Sequence, residues 1–170
     1  MTAAVDLPLR DEPWYHCFGC SPRHPFGLRL DPRRTGDDAV TDTVTFSLDL
    51  CSYPGVVHGG IVTTAVDDTM ANAILLEHGV LVFSSGLRVR FLAPVVAGRP
   101  YVINARITEV WPGGYRVTSE VIAPSGDEVL VADGTFAALR PDHLARMASI
   151  DDGIAAQLRC HMVPSESSGT

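Results

Sequence analysis

Lysine is absent from this 170-residue sequence; all thirteen basic side chains are arginine. Twenty Asp and Glu outnumber them, and the formal charge of -7 excludes the basic surface that a nucleic-acid partner requires. Cysteine is scarce as well. Cys17, Cys20, Cys51 and Cys160 are too few to staple a chain of this length with a disulfide framework. Long apolar runs are missing, because Thr and Asp interrupt each one before it could span a membrane. Met1–Asp11 lacks a positive region followed by an apolar stretch, so no secretory leader is expected and a cytoplasmic location is. What remains is 46% hydrophobic residues, enough for one ordinary globular core.

The chain divides by pattern. Residues 1–13 are mixed and proline-punctuated and read as an N-terminal arm, and residues 14–38 as an ordered loop leading into the first strand. Val40, Val44, Phe46, Leu48 and Leu50 then alternate with Thr43, Thr45, Ser47 and Asp49, the period of a strand with one buried face. From His58 to His78, Ile61, Val62, Ala65, Val66, Met70, Ala73, Ile74 and Leu76 cover most of a helix circumference, and Gly79 offers a stop. Such a helix, ~30 Å long, can be hidden in a small domain only if a sheet wraps it. Val82–Leu92, Tyr101–Val110, Tyr115–Ile122 and Glu128–Leu139 supply strands, parted by Pro- and Gly-rich turns, and are expected to form an antiparallel meander. The expected class is α+β, with five to six antiparallel strands around one long central helix over residues 14–140. Residues 141–163 read as a helical extension starting near Pro141, with Leu144, Met147 and Ala148 on one face, and residues 164–170 as a disordered tail.

Three polar features sit where a core helix needs none. His58-Gly59-Gly60 opens the helix, where unpaired N–H groups and the dipole would stabilise a carbonyl oxygen gaining charge. A Gly-Gly turn that merely enters a helix accounts for the same residues. Asp67 and Asp68 lie mid-helix among apolar residues, and a carboxylate there needs a partner or a function. Asp67, seven residues after Gly60, is rotated only ~20° from it, whereas Asp68 turns a further ~100°. Asp67 is therefore the better candidate for chemistry. Gly59 and Asp67, however, lie ~12 Å apart along one helix. No single carbonyl carbon reaches both. If both act on one substrate, the aspartate must meet the glycine of a second, antiparallel copy across a two-fold axis.

The segment Gly55-Val-Val-His58-Gly59-Gly60-Ile-Val-Thr-Thr-Ala-Val-Asp67 resembles the helix signature of hotdog-fold thioesterases, and of the PaaI-like group in particular. Leu87-Arg-Val-Arg-Phe-Leu-Ala-Pro94 is similar to the family's next strand, and Cys17-Phe-Gly-Cys20-Ser-Pro-Arg-His-Pro-Phe-Gly27-Leu28 to its upstream loop. The resemblance implies a hotdog fold, homodimers or homotetramers, and hydrolysis of acyl-CoA or acyl-carrier thioesters, with no cofactor beyond the coenzyme A of the substrate. It also implies roles. The Gly59 or Gly60 amide would polarise the thioester carbonyl, and Asp67 would be general base or nucleophile. Ser84 would hold the attacking water, and His58 would support the thioester end. Relatives often carry Asn or Gln where this chain has Ser52, and Asp68 is not part of the pattern, which leaves both as substrate-side candidates.

A one-residue insertion would exchange Ser84 for Ser85, so Ser85 is the reserve candidate. Arg88 and Arg90 alternate on one strand face and could meet CoA phosphates, although a solvated strand face accounts for them too. Cys17 and Cys20 with His16 and His24 could make a tetrahedral zinc set, but a single C-x-x-C lacks the second pair, and a packed loop without metal is expected. Trp111, Tyr115 and Phe136 read as core or interface. Two other functions stay open: a hotdog enoyl-CoA hydratase or dehydratase, and a non-catalytic acyl-binding protein.

Overall fold

A computed structural model describes residues 7–144 and 150–163. One long helix, α1 (Gly59–His78), packs across a six-stranded antiparallel sheet. Its apolar residues are spread around the circumference, and Val62, Ala65, Val66, Met70, Ala73 and Ile74 are all fully buried. His58 caps its N-terminus, and Gly79 ends it at φ 68°, a left-handed conformation that glycine adopts without steric cost, donating its N–H to Leu75 O at 2.9 Å.

In chain order the strands are β1 (Arg33–Gly36), β2 (Ala39–Thr45), β3 (Cys51–Tyr53), β4 (Val56–Val57), β5 (Val82–Phe91), β6 (Pro100–Trp111), β7 (Gly114–Ile122) and β8 (Glu128–Ala138). The main sheet runs β1-β2-β6-β7-β8-β5, and β3 and β4 form a separate small hairpin. Strands β6, β7 and β8 follow the two-residue period. Tyr101, Ile103, Ala105 and Ile107, then Tyr115, Val117 and Val121, then Leu130, Ala132, Phe136 and Ala138 are buried. Strands β2, β5, β6, β7 and β8 pack against α1, and Arg34 of β1 reaches its last turn at Leu76 O and Glu77. The α+β class, the wrapped helix and the strand count follow the sequence pattern.

Three details differ from expectation. The meander covers only β6, β7 and β8. β5 pairs with β8 instead of β6, while β6 pairs with β2. The eight residues between β5 and β6 can reach ~26 Å, ample to cross the ~14 Å from β5 to β6 over two intervening strands. The connection is held in passing: Val57 N–H bonds to Val95 O at 2.9 Å and Gly98 N–H to Phe46 O at 2.8 Å. Second, the first long strand stops at Thr45, and Leu48–Leu50 form a 3-10 turn with Leu48 71% exposed. Thr45 pairs with Pro100, which has no N–H to extend the ladder. Third, Arg33–Gly36 form a strand, an edge hairpin partner of β2 that the Pro- and Gly-rich run did not betray.

At the ends, Leu7 is buried in the core. The short helix α2 (Pro141–Leu144) buries Leu144, while Met147 and Ala148 lie outside the described residues, as does the 164–170 tail. Helix α3 (Asp152–Arg159) is capped by Asp151, whose carboxylate accepts from Ile154 N–H at 2.8 Å, and Gln157 on it accepts from Trp14 Nε1 at 2.7 Å. Among the described residues no helix is long and apolar enough to cross a membrane. Trp111 is 42% exposed, while Tyr115 and Phe136 are buried core residues.

Ile74 sits at the helix–sheet contact with no exposed surface. Ile74→Ala should cost about 2–5 kcal/mol in urea unfolding, the usual range for a large core residue cut to alanine.

Candidate functional site

Two carboxylates on adjacent residues of α1 face different surroundings, because one residue is ~100° of helix rotation. Asp67 turns toward β5, the strand that returns antiparallel to α1. There Ser84 Oγ donates to Asp67 Oδ1 at 2.5 Å, a short charge-assisted bond. Asp68 turns the other way, under the N-terminal loop.

A β-bulge decides between the two serines. Ser84 pairs with Phe136 and Gly86 with Thr135, so Ser85 is the extra residue. Its hydroxyl donates to Thr135 O at 3.0 Å instead of meeting the helix. The bulge thus keeps Ser84 on the Asp67 face and turns Ser85 away.

At the other end of α1, His58 Nδ1 accepts from the Gly60 N–H at 2.9 Å. The Gly60 amide is therefore occupied by its own cap. Ile61 and Val62 N–H both bond to His58 O. Gly59 N–H has no hydrogen-bond partner among the described residues, which makes it the donor of the pair open to a ligand. Gly59 also lies against the Phe91 ring, where an added Cβ would come within 3.4 Å of the ring edge.

A groove of about 410 Å³ opens beside Gly59, lined by Ser52, Tyr53, Val57, Phe91 and Pro94 among others. The structure thus brings Ser52 to Gly59, and Ser84 to Asp67, but it does not join the two groups within one chain. They sit near opposite ends of β5. Arg88 and Arg90 lie between them on the exposed face of that strand. β5 is an edge of the sheet, and Phe83 and Phe91 leave it 47% and 46% exposed.

Asp68 is no part of either group. Its Oδ1 lies 3.0 Å from Cys17 Sγ, and its Oδ2 accepts from Asn72 Nδ2 at 2.9 Å. It retains partial solvent accessibility as a residue, yet protein surrounds the carboxylate. Burial first, then the neighbouring Cys17 sulfur, push its pKa well above the carboxylate range. Cys17 shifts the opposite way, to about 5, because its sulfur accepts hydrogen bonds from the Cys20 side chain and from nearby backbone N–H groups. Cys20, fully buried, is pushed up, first by its bond to Cys17 and then by burial. The zinc set of two cysteines and two histidines does not assemble. His16 is exposed, and His24 accepts from Phe26 N–H at 3.2 Å while its ring packs edge-on to Phe18. Sequence reasoning missed that Asp68, and neither histidine, is the residue that meets the two cysteines. The signal was present in the second, seemingly surplus aspartate of a pair.

A long helix wrapped by a six-stranded antiparallel sheet is the architecture of the hotdog fold. The family model described as the thioesterase superfamily matches residues 54–130, the segment from the α1 entry through the start of β8. The solved structure of protein RHA08564, a thioesterase superfamily protein, overlays with a TM-score of 0.65 at 19% identity, covering 71% of this chain and 62% of that one. The PaaI protein of the E. coli phenylacetic acid degradation operon overlays at 0.61 with 19% identity, covering 66% and 80%. A Streptococcus mutans protein solved bound to acetyl CoA overlays at 0.60 with 19% identity, covering 65% and 88%. A yeast (Saccharomyces cerevisiae) relative, named uncharacterized mitochondrial membrane protein FMP10, is 28% identical over 119 residues, 66% of this chain. The match spans only 49% of that relative's length. Residues 54–130 thus match the thioesterase superfamily model, and the chain shares the hotdog fold of these solved structures.

Gly19 abuts the Asp68 carboxylate so closely that an added Cβ would fall 2.2 Å from its carboxyl carbon. Gly19→Ala should therefore displace the loop and destabilise the protein by about 1–3 kcal/mol in urea unfolding. Gly36→Ala, with open space around it, should leave the midpoint close to wild type.

Proposed function

We propose that the protein hydrolyses acyl-CoA thioesters, acting as a homodimer or as a homotetramer of two such dimers, with composite sites. Each site takes Asp67 and Ser84 from one subunit and the start of α1 from its twin. The observation that carries this reading is the split of the candidate residues. Asp67 and Ser84 are hydrogen-bonded, while the free Gly59 amide lies about 12 Å up the same helix. A second helix running antiparallel closes that gap. The exposed β5 edge, with its unpaired ladder groups and two phenylalanines, offers the surface along which such a pair would form.

In the composite site the thioester carbonyl oxygen accepts from the Gly59 N–H, and the helix dipole adds to that field. Asp67 sits on the opposite side of the carbonyl carbon. As a base it takes a proton from a water held by Ser84, and the water oxygen bonds to the carbon. As a nucleophile its oxygen forms that bond first, and water then hydrolyses the resulting anhydride. Either way the C–S bond breaks, the CoA thiolate leaves and is protonated, and the free acid remains. Neither route calls on a cofactor of the protein's own. The groove beside Ser52, Gly59 and Phe91 is apolar enough to take an acyl or pantetheine chain, and Arg88 and Arg90, exposed on the strand that ends at Phe91, carry charge suited to CoA phosphates. The acetyl CoA named with the Streptococcus mutans structure supports this class of ligand.

The hydratase reading asks a histidine to handle protons. His58 Nδ1 is engaged in capping Gly60, and no hydrogen bond links His58 to Asp67. That geometry favours the hydrolase.

Asp67→Asn should lower kcat for thiol release from acyl-CoAs by about 10²–10⁴-fold while the oligomer stays folded. Ser84→Ala should lose roughly 10- to 100-fold, the effect of a hydrogen bond to a charged group. Ser85→Ala should stay at wild-type rate. Mixed subunits test the composite site. Asp67→Asn and Gly59→Val chains, each inactive alone, should regain about a quarter of wild-type activity on random pairing, since half the dimers then hold one intact site. No recovery would place the chemistry within one chain. Full activity of Asp67→Asn would remove the assignment altogether.

A further inference from the structure

The loop before β1 carries four protic groups to one spot on α1. Cys17, Cys20 and Asp68 offer ligand atoms that all lie within 4.8 Å of one another, and no other such group of His, Cys, Asp or Glu occurs among the described residues. Tyr15 Oη stands 3.2 Å from Cys20 Sγ. Gly19 leaves no room for a side chain between the loop and the carboxylate.

Acids are gathered here without a base. Asp68 takes part in none of the ion pairs found among the described residues. Its polar contacts are the Cys17 sulfur and the Asn72 amide. A hydrogen-bonded network satisfies these groups one by one, but it leaves two thiols, a phenol and a carboxylic acid competing for protons in a poorly solvated pocket.

We propose that Cys17, Cys20 and Asp68 bind a zinc ion that clasps the N-terminal loop to α1. Two thiolates and a carboxylate suit zinc chemically. Zn–S near 2.3 Å and Zn–O near 2.1 Å place tetrahedral ligands about 3.6–3.8 Å apart. The present 3.0 Å between Cys17 Sγ and Asp68 Oδ1 needs to open by about 0.6 Å to reach the lower end of that spacing. The fourth position falls to the Tyr15 phenol oxygen or to a water entering past the partly accessible Cys17. Binding displaces two protons, the one shared between Cys17 and Asp68 and the one on Cys20, so a divalent cation replaces two protons and charge balances. The ion lies on the face of α1 turned away from Ser84, so its role is structural. This departs from the metal-free loop expected from the sequence, because the third ligand comes from the helix and not from the loop's histidines.

The test uses the full chain, purified reduced and without a histidine tag. Metal analysis should find about one zinc per chain, and exchange into cobalt(II) should give the near-ultraviolet thiolate-to-cobalt charge-transfer band of a tetrahedral site. Cys17→Ser and Cys20→Ser should lose both signals, and Asp68→Asn should weaken cobalt affinity at least tenfold, with circular dichroism confirming the fold. His16→Ala and His24→Ala should change neither. Wild-type protein that takes up no zinc and shows no charge-transfer band overturns the proposal, and this measurement needs no variant to fold. Equal affinity of Asp68→Asn overturns the carboxylate's part. None of these readouts depends on turnover, so they stand or fall apart from the hydrolase reading.

Discussion

A helix apolar on nearly every side must be enclosed, and the enclosure of α1 sets the rest of this molecule. Val62, Ala65, Val66, Met70, Ala73 and Ile74 point in several directions at once. One flat contact could not bury them all. A sheet that bends around the helix can, and the loop before β1 covers what the sheet leaves open. Polar groups on such a helix are therefore confined to a few gaps, and each gap acquires a fixed neighbour. Asp67 meets the edge strand, Asp68 meets the loop, and the N-terminal amides meet solvent beside the groove.

Two aspartates of identical chemistry thereby acquire opposite circumstances. Asp67 keeps a hydroxyl donor and partial exposure beside the edge strand. Asp68 is hemmed in by sulfur and glycine, where the charged form is costly. The ~100° rotation between successive helical residues is enough to separate a group fit for chemistry from one fit for anchoring. The same economy holds at the helix entrance. His58 consumes one glycine amide to start the helix, and in doing so leaves the other as the open donor.

Much of this was legible from the chain because it depends on period and spacing. The helix runs to Gly79 as its apolar residues and terminal glycine indicate, and β5 to β8 start and end within a residue or so of the alternating runs. The Asp67 and Ser84 pair followed from rotation about a helix and from resemblance. What escaped were features set by partners far away in sequence. The placement of β5 beside β8, and not β6, is a choice among antiparallel options that no local pattern encodes. The end of β2 is dictated by Pro100, fifty-five residues beyond Thr45. The bulge at Ser85 depends on Thr135. The cluster at Cys17 needed Asp68 of α1, whereas local reading set Cys17 and Cys20 beside their loop neighbours His16 and His24.

The pairing of β5 with β8 has a consequence for biosynthesis. Ser84 stands on a strand whose only ladder partner among the described residues is made some forty to fifty residues later. A growing chain can coil α1 early, but it has nothing to dock β5 against until residues 128–138 leave the ribosome. The Asp67–Ser84 contact is thus among the last to be completed, and the apolar helix waits, uncovered, for nearly the whole domain to be synthesised. Folding of this domain in that sense waits for its last strand, and the interval before it is the time of greatest exposure to chaperones and to misassociation.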